Sequence, residues 1–197
     1  MTTSNSKNIL FVLTGSIACY KACDLISKLT QNGFQVKTAA TRSALQFIGP
    51  ATLEGLTGEA VFTDNFEAGK MMSHIDLARW ADLIVVCPAT ANTINSLANG
   101  SGDIVTDLFL SNNFQKPFWV APAMNSQMLA HPATQESLRK IKSWGTFVFE
   151  TDSGNLACGE VGSGRLVDPS LILDKILNYF GSQFPDIIRD RAPGASL

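Results

Sequence analysis

The chain has 197 residues, of which 45% are hydrophobic and 16% charged, and its formal net charge at pH 7 is −2. This length fits one domain with a single core, and the small net charge gives no electrostatic basis for binding nucleic acid or an anionic membrane. No apolar run reaches the roughly 18 residues of a membrane-spanning helix, and the polar extension 1–7 lacks the apolar stretch of a signal peptide. We therefore expect a cytoplasmic protein with neither a membrane nor a nucleic acid as partner.

The amino-terminal part alternates short apolar runs with helical patterns. Residues 8–14 predict a buried strand that ends in a Gly-Ser turn. Apolar residues at helical spacing predict a helix over 17–32, and Gly33 suits the left-handed position after its last turn. A second strand follows at 34–40, then short helical segments at 42–48 and 51–57.

The same alternation continues along the chain, with strands at 82–87, 117–121 and 146–149 and helices at 90–99, 134–143 and 169–180. Strands that are apolar throughout and alternate with helices predict a parallel sheet covered on both faces. We therefore expect an α/β fold, a doubly wound parallel sheet in a single flavodoxin-like or Rossmann-like domain over 8–180. Residues 181–197, with Pro, Gly and Ser, predict a solvated tail.

The four cysteines and two histidines show no spacing typical of a disulfide framework or a zinc site, so we predict no metal. Cys19 and Cys23 lie four residues apart on one predicted helix, and Cys87 closes a buried strand. We expect these three to pack in the core. Cys158 lies in a predicted loop between Ala and Gly and has no such structural explanation.

Gly15, Ser16 and Ile17 lie where the first strand meets the first helix. Free backbone N–H groups and a partial charge of about +0.5 at a helix N-terminus favour an anion such as phosphate there. Thr41 and Ser43 follow the second strand at the same sheet edge, where their hydroxyls would add to a phosphate site. Turn and capping roles explain these residues equally well, and the Gly-x-Gly-x-x-Gly dinucleotide fingerprint is absent.

The segment after the third strand combines small and polar residues. Small residues let backbone approach a flat ligand, and the polar side chains offer hydrogen bonds to it. A helix start capped by threonine is the alternative. The residues concerned are Pro88, Thr90, Ala91, Asn92 and Thr93.

His74 and Asn125 are two further candidate functional residues. Ile75 and Leu77 alternate with His74 and Asp76, which predicts that His74 points away from the buried face and shares a side with Asp76. A capping or core histidine is the alternative. Asn125 directly follows a strand, at the edge where open α/β sheets bind ligands, although it also suits a helix N-cap.

The glycine-rich segment 154–164 predicts a flexible loop that could act as a lid, with an ordinary surface loop as the alternative. Arg165 follows this segment. From the residues alone it could meet a substrate phosphate or pair with an acidic side chain.

Three phrases in this order resemble the flavin-dependent cysteine decarboxylases: Ser-His-Ile-Asp-Leu-Ala-Arg-Trp-Ala-Asp at 73–82, Pro-Ala-Met-Asn at 122–125 and Leu-Ala-Cys-Gly-Glu at 156–160. The resemblance covers about residues 8–180, and the Ala-Cys-Gly-Glu phrase is most similar to the phosphopantothenoylcysteine decarboxylases of coenzyme A biosynthesis. It implies FMN as cofactor, a small-molecule substrate, and a homotrimer or a dodecamer of trimers with FMN at subunit contacts.

The resemblance also implies the reaction and the residue roles. 4′-Phosphopantothenoylcysteine would become 4′-phosphopantetheine, since oxidation of its thiol to a thioaldehyde lets the C=S group take up the electron pair left by carbon dioxide. His74 would be the base, Asn125 would bind the carboxylate with Leu156 and Ala157 beside it, and Cys158 would donate a proton. Together with the patterns above, it places FMN at Gly15, Ser16, Ile17, Thr41, Ser43, Pro88, Thr90, Ala91, Asn92, Thr93 and Ala123.

Two alternatives keep FMN, His74 and Asn125. One is a decarboxylase of peptides with a C-terminal cysteine, against which the Ala-Cys-Gly phrase argues, and the other is a non-catalytic regulatory homologue. The sequence departs from the family at 102–107, where the family has Asp-Asn-Leu or Asp-Asp-Leu after a Gly, and at Leu129, where it often has Trp.

Overall fold

The computed structural model describes residues 7–63, 73–155, 159 and 161–183, and its centre is a parallel sheet of five strands. The strands are β1 (Asn8–Leu13), β2 (Gln35–Ala40), β3 (Leu83–Ala89), β4 (Phe118–Pro122) and β5 (Phe147–Val148). Their order is β2-β1-β3-β4-β5, and every neighbouring pair is parallel. This is the strand order of flavodoxin-like doubly wound folds, so the predicted fold class is confirmed.

Helices cover both faces of the sheet. They are α1 (Cys19–Gln31), α2 (Pro50–Thr57), α3 (Ser73–Trp80), α4 (Ala91–Asn99), α5 (Ile104–Asn112), α6 (Ser126–Ala130), α7 (Pro132–Ser143) and α8 (Pro169–Gln183). One apolar core joins the sheet to α1, α2 and α8, and the other joins it to α3, α4, α5 and α7. Within these described segments, no helix is both long enough and apolar enough to cross a bilayer.

The central strand β1 explains why the sequence reads as a continuous apolar run. Ile9, Phe11 and Leu13 enter the first core, whereas Leu10 and Val12 enter the second. All five side chains are fully buried, and each contributes roughly 1.5–3 kcal/mol to the free energy of folding. Because side chains alternate across a strand, only a sheet with helices on both faces buries such a run.

The cysteines pack as predicted. Cys19 and Cys87 are buried, Cys23 is half-buried, and all three are free thiols in the described part of the chain. Gly33 adopts the predicted left-handed conformation, with φ of 80°. The predicted elements match the observed ones within a few residues, and α8 continues to Gln183.

Three segments differ from the prediction. The stretch 73–80 is a helix, so the prediction that His74 and Asp76 share a side was wrong. Residues two apart on a helix are rotated by about 200° from each other. Helix α5 was not predicted, because apolar residues lie on nearly all its sides and leave no clear period. The two ends of the glycine-rich segment pair as the antiparallel strands β6 (Asp152–Asn155) and β7 (Val161–Arg165), whereas most of the predicted loop between them lies outside the described residues.

Candidate functional site

A cavity of about 770 Å³ opens at the carboxyl edge of the sheet, where the strand order reverses between β1 and β3. Residues that follow β1, β2, β3 and β4 form its wall, and the end of β7 closes one side. The structure therefore brings together residues that the sequence had placed in separate phrases: Gly15, Ser16, Ile17, Thr41, Ser43, Thr90, Ala91, Asn92, Thr93, Ala123 and Asn125.

The loops after β1 and β2 approach each other closely. A Cβ atom on Gly15 would lie 2.5 Å from the Ser43 Cβ, so only glycine fits there without a shift. The Thr41 hydroxyl accepts a hydrogen bond from the Ala44 N–H (3.2 Å), and Ser16 Oγ accepts one from the Ala18 N–H (3.3 Å). Thr41 and Ser16 therefore bind backbone N–H groups of their own turns and also line the cavity.

Thr14 fixes the third strand against the first, and the sequence analysis did not single it out. Its hydroxyl donates to the Pro88 carbonyl (2.7 Å) and accepts from the Thr90 N–H (3.1 Å). Pro88 itself does not line the cavity, and its carbonyl instead helps to hold the end of β3 against Thr14. The available signal was a polar residue at the end of an apolar strand, buried here to 1% exposure.

Helix α4 begins at the cavity, and its first turn lines the wall. Thr90 is the N-cap, and its hydroxyl accepts from the Thr93 N–H (3.3 Å), as the alternative interpretation expected. The start of α1 lines the same cavity through Ile17 and Ala18. Two helix N-termini at one site favour an anionic group such as a phosphate.

Two cations and one acid complete the lining. Lys21 lies in the first turn of α1 and Arg165 ends β7, and neither forms a salt bridge within the described residues. Asp103 caps α5 by accepting from the Val105 N–H (3.1 Å). The acidic partner considered for Arg165 is thus not seen in this part of the chain.

Asn125 is the N-cap of α6. Its Oδ1 accepts a hydrogen bond from the Gln127 N–H (2.7 Å), and the residue is half-buried at the cavity wall. Met124, Met128 and Leu166 provide apolar surface around it. Leu156, Ala157 and Cys158, which the sequence analysis placed in the same site, lie outside the described residues.

His74 does not line this cavity in a single chain. The Asn8 side-chain NH₂ donates to the Trp80 carbonyl (3.0 Å), so the end of α3 lies at the amino edge of the sheet and His74 lies toward the carboxyl edge. The His74 Nδ1 atom is buried and has no hydrogen-bond partner among the described residues. Those residues also contain no group of three or more His, Cys, Asp or Glu that could hold a metal.

Comparisons of the sequence place the chain among flavoproteins. The model of the Flavoprotein family matches residues 1–181. The coenzyme A biosynthesis bifunctional protein CoaBC of Bacillus subtilis (strain 168) is 43% identical over 182 residues, 91% of this chain but only 44% of the bifunctional protein. A probable phosphopantothenoylcysteine decarboxylase of Streptococcus mutans is 41% identical over 174 residues, which are 87% of this chain and 97% of that protein.

Solved structures agree with this relationship. A mutant of PPC decarboxylase complexed with pantothenoylaminoethenethiol has a TM-score of 0.79 and 29% identity, covering 89% of this chain and 98% of that chain. The FMN binding protein AtHal3 has a TM-score of 0.77 and 30% identity, covering 90% and 98%. The chain therefore belongs to the Flavoprotein family, alongside the phosphopantothenoylcysteine decarboxylases.

Proposed function

We propose that this protein is an FMN-dependent decarboxylase that converts 4′-phosphopantothenoylcysteine to 4′-phosphopantetheine and carbon dioxide in the cytoplasm. The observation that carries the proposal is the cavity at the β1/β3 switch point, which is lined by Asn125 and by the predicted flavin residues other than Pro88. The likeness to a relative with this named activity over 97% of that relative's length supports it.

The residues that line the cavity fit FMN. The volume of about 770 Å³ lies within the roughly 300–1,000 Å³ typical of small-molecule sites. The Gly15 turn, the hydroxyls of Thr41 and Ser43 and the α1 N-terminus would hold the phosphate, while Ala91 and Ala123 leave room for a flat ring. When bound, FMN would supply a two-electron acceptor that later returns the electrons, so the reaction has no net redox change.

Asn125 would hold the substrate carboxylate through its amide NH₂. The capping bond to Oδ1 holds the Asn125 side chain at the start of α6, on the cavity wall. A neutral amide suits this task better than a cation, since a full positive charge would stabilise the carboxylate against its loss. Met124 and Leu166 would exclude water from the departing group.

His74 would serve the cavity of a neighbouring subunit in a homotrimer or a dodecamer of trimers. Its position near the carboxyl edge, outside the cavity of its own chain, supports this arrangement. The imidazole would accept the proton from the substrate thiol, and Cys158 would return a proton after decarboxylation.

The decisive experiment is product analysis with synthetic 4′-phosphopantothenoylcysteine. We expect carbon dioxide and 4′-phosphopantetheine from the purified protein, and FMN, not FAD, released on denaturation. The nonphosphorylated compound and a peptide with a C-terminal cysteine are the controls. Preferred turnover of the peptide, or a colourless protein that FMN cannot reconstitute, would contradict the proposal.

A further inference from the structure

Asn125 lies between two residues that are both bonded to β7. The Met124 N–H donates a hydrogen bond to the Gly164 carbonyl (2.8 Å), and the Ser126 hydroxyl donates one to the Ser163 carbonyl (2.6 Å). Consecutive carbonyls of one strand therefore hold the residues on both sides of Asn125. The turn that carries Asn125 is fixed to the hairpin at two points.

Two glycines of β7 make this contact possible. A Cβ atom on Gly162 would collide with the Ser126 hydroxyl, and one on Gly164 would collide with the Met124 carbonyl oxygen. Gly164 also has φ of 109°, a conformation that side chains other than glycine rarely adopt. The strand therefore approaches the turn as closely as backbone allows.

Helix α6 needs this support because it has only five residues. A helix of that length is not stable by itself, so its N-terminal geometry depends on tertiary contacts. The amide of Asn125 takes its orientation from the capping bond to Gln127 in that first turn. Whatever fixes the start of α6 thus also fixes the Asn125 amide.

We infer that Ser126 is a positioning residue, whose hydrogen bond to the β7 backbone aligns the Asn125 amide with the substrate carboxylate. This inference rests on the proposed function. Ser126 would thus belong to the site although it directly follows the phrase Pro-Ala-Met-Asn. It would affect the substrate indirectly, by holding Asn125 against β7.

The variant Ser126→Ala tests it, since the change removes the hydroxyl and keeps the Cβ. We expect unchanged flavin content and about a tenfold lower kcat/KM for 4′-phosphopantothenoylcysteine. A misaligned Asn125 amide would weaken its hydrogen bond to the charged substrate carboxylate, and a loss of this size is what we expect from that. The inhibition constant of 4′-phosphopantetheine should stay the same, because that product has no carboxylate. A general distortion of the cavity would weaken substrate and product together.

Ser143→Ala is the matched control, because Ser143 also donates its hydroxyl to a backbone carbonyl, that of Lys140 (2.7 Å), on a helix outside the cavity. It should change neither constant. In an Asn125→Ala background, Ser126→Ala should have no further effect on kcat/KM, since the residue it positions is gone.

Equal weakening of substrate and product, an additive effect in the double variant, or an unchanged kcat/KM would each overturn the inference while leaving the proposed function intact. A wild-type protein that does not decarboxylate the substrate would overturn both, and flavin content and substrate turnover of the wild type separate these cases.

Discussion

Gly15 lies where the site leaves no space for a side chain. Its Cα faces Ser43 across the junction of two loops, and a Cβ there would lie 2.5 Å from the Ser43 Cβ. The loop after β1 or the loop after β2 would have to move, and both line the cavity. The requirement for glycine at this position is therefore one of space.

Gly15→Ala should lower the affinity for FMN by at least about tenfold, equivalent to roughly 1.4 kcal/mol, because both loops of the predicted phosphate site are displaced. Flavin content and FMN titration of the purified protein measure this. Gly55→Ala in α2 is the control, since a Cβ meets nothing within 4 Å there. It should keep the flavin and, being in a helix, add about 0.5–1 kcal/mol of stability. Equal flavin loss in both variants would argue against a local effect.

Cys87 carries a thiol that should be chemically inert. Burial raises the pKa of this thiol well above its ordinary value, so the reactive thiolate is scarce even in alkaline solution. Iodoacetamide at pH 8 should leave Cys87 unmodified in the native protein and modify it after unfolding, as peptide mass spectrometry would show. Modification of Cys87 in the folded protein would contradict the buried position in β3.

The sequence predicted capping residues well and side-chain direction poorly. Helix capping was the alternative role for Thr90 and an additional role for Asn125, and both residues cap helices and line the cavity. The prediction that His74 and Asp76 point to the same side was wrong, because the four alternating residues 74–77 fit either a strand or a helical turn. Its separation from the cavity of the same chain depends on tertiary structure, which local patterns do not contain.

At the scale of elements, strands and amphipathic helices were predictable and the apolar helix α5 was not. In α1 a stripe of buried residues repeats at helical spacing, whereas α5 buries Ile104, Val105, Leu108 and Phe109 on several sides. The hairpin β6–β7 was missed because its glycines suggest a loop, and local sequence does not show that β7 is hydrogen-bonded to the distant turn at 124–126.

Phe109 is the residue that best tests the packing of α5. Its ring is 4% exposed and meets Phe118 (centroids 4.9 Å apart) and Phe114 (5.6 Å) edge to face. Phe109→Ala should lower the free energy of unfolding by about 3–5 kcal/mol, measured by denaturant titration. Its neighbour Leu110 is 55% exposed, so Leu110→Ala should have a much smaller effect. Similar losses for the two variants would mean that the helix is packed differently.

At the scale of the whole molecule, His74 lies outside the cavity of its own chain. It can therefore be tested whether two subunits contribute residues to one site. His74→Asn should be inactive alone, and Asn125→Ala should keep only a small residual activity. If His74 serves a neighbouring subunit, oligomers that contain both variants have some sites with both native residues and should regain part of the activity. Coexpression with two different affinity tags, followed by purification on both, isolates these mixed oligomers. Mixed oligomers with no more activity than either parent would place His74 and Asn125 of one chain in the same site.

The spread of the cavity wall along the chain has a consequence for synthesis. Its first lining residue is Gly15 and its last is Leu166, so the ribosome must add about 150 residues between them, which takes on the order of 8–30 s. During that interval the first strands can pair, but Gly164, Arg165 and Leu166, which close one side of the cavity, do not yet exist. A nascent chain stalled before Val161 should therefore fail to retain the flavin, so that cofactor capture would follow the synthesis of β7.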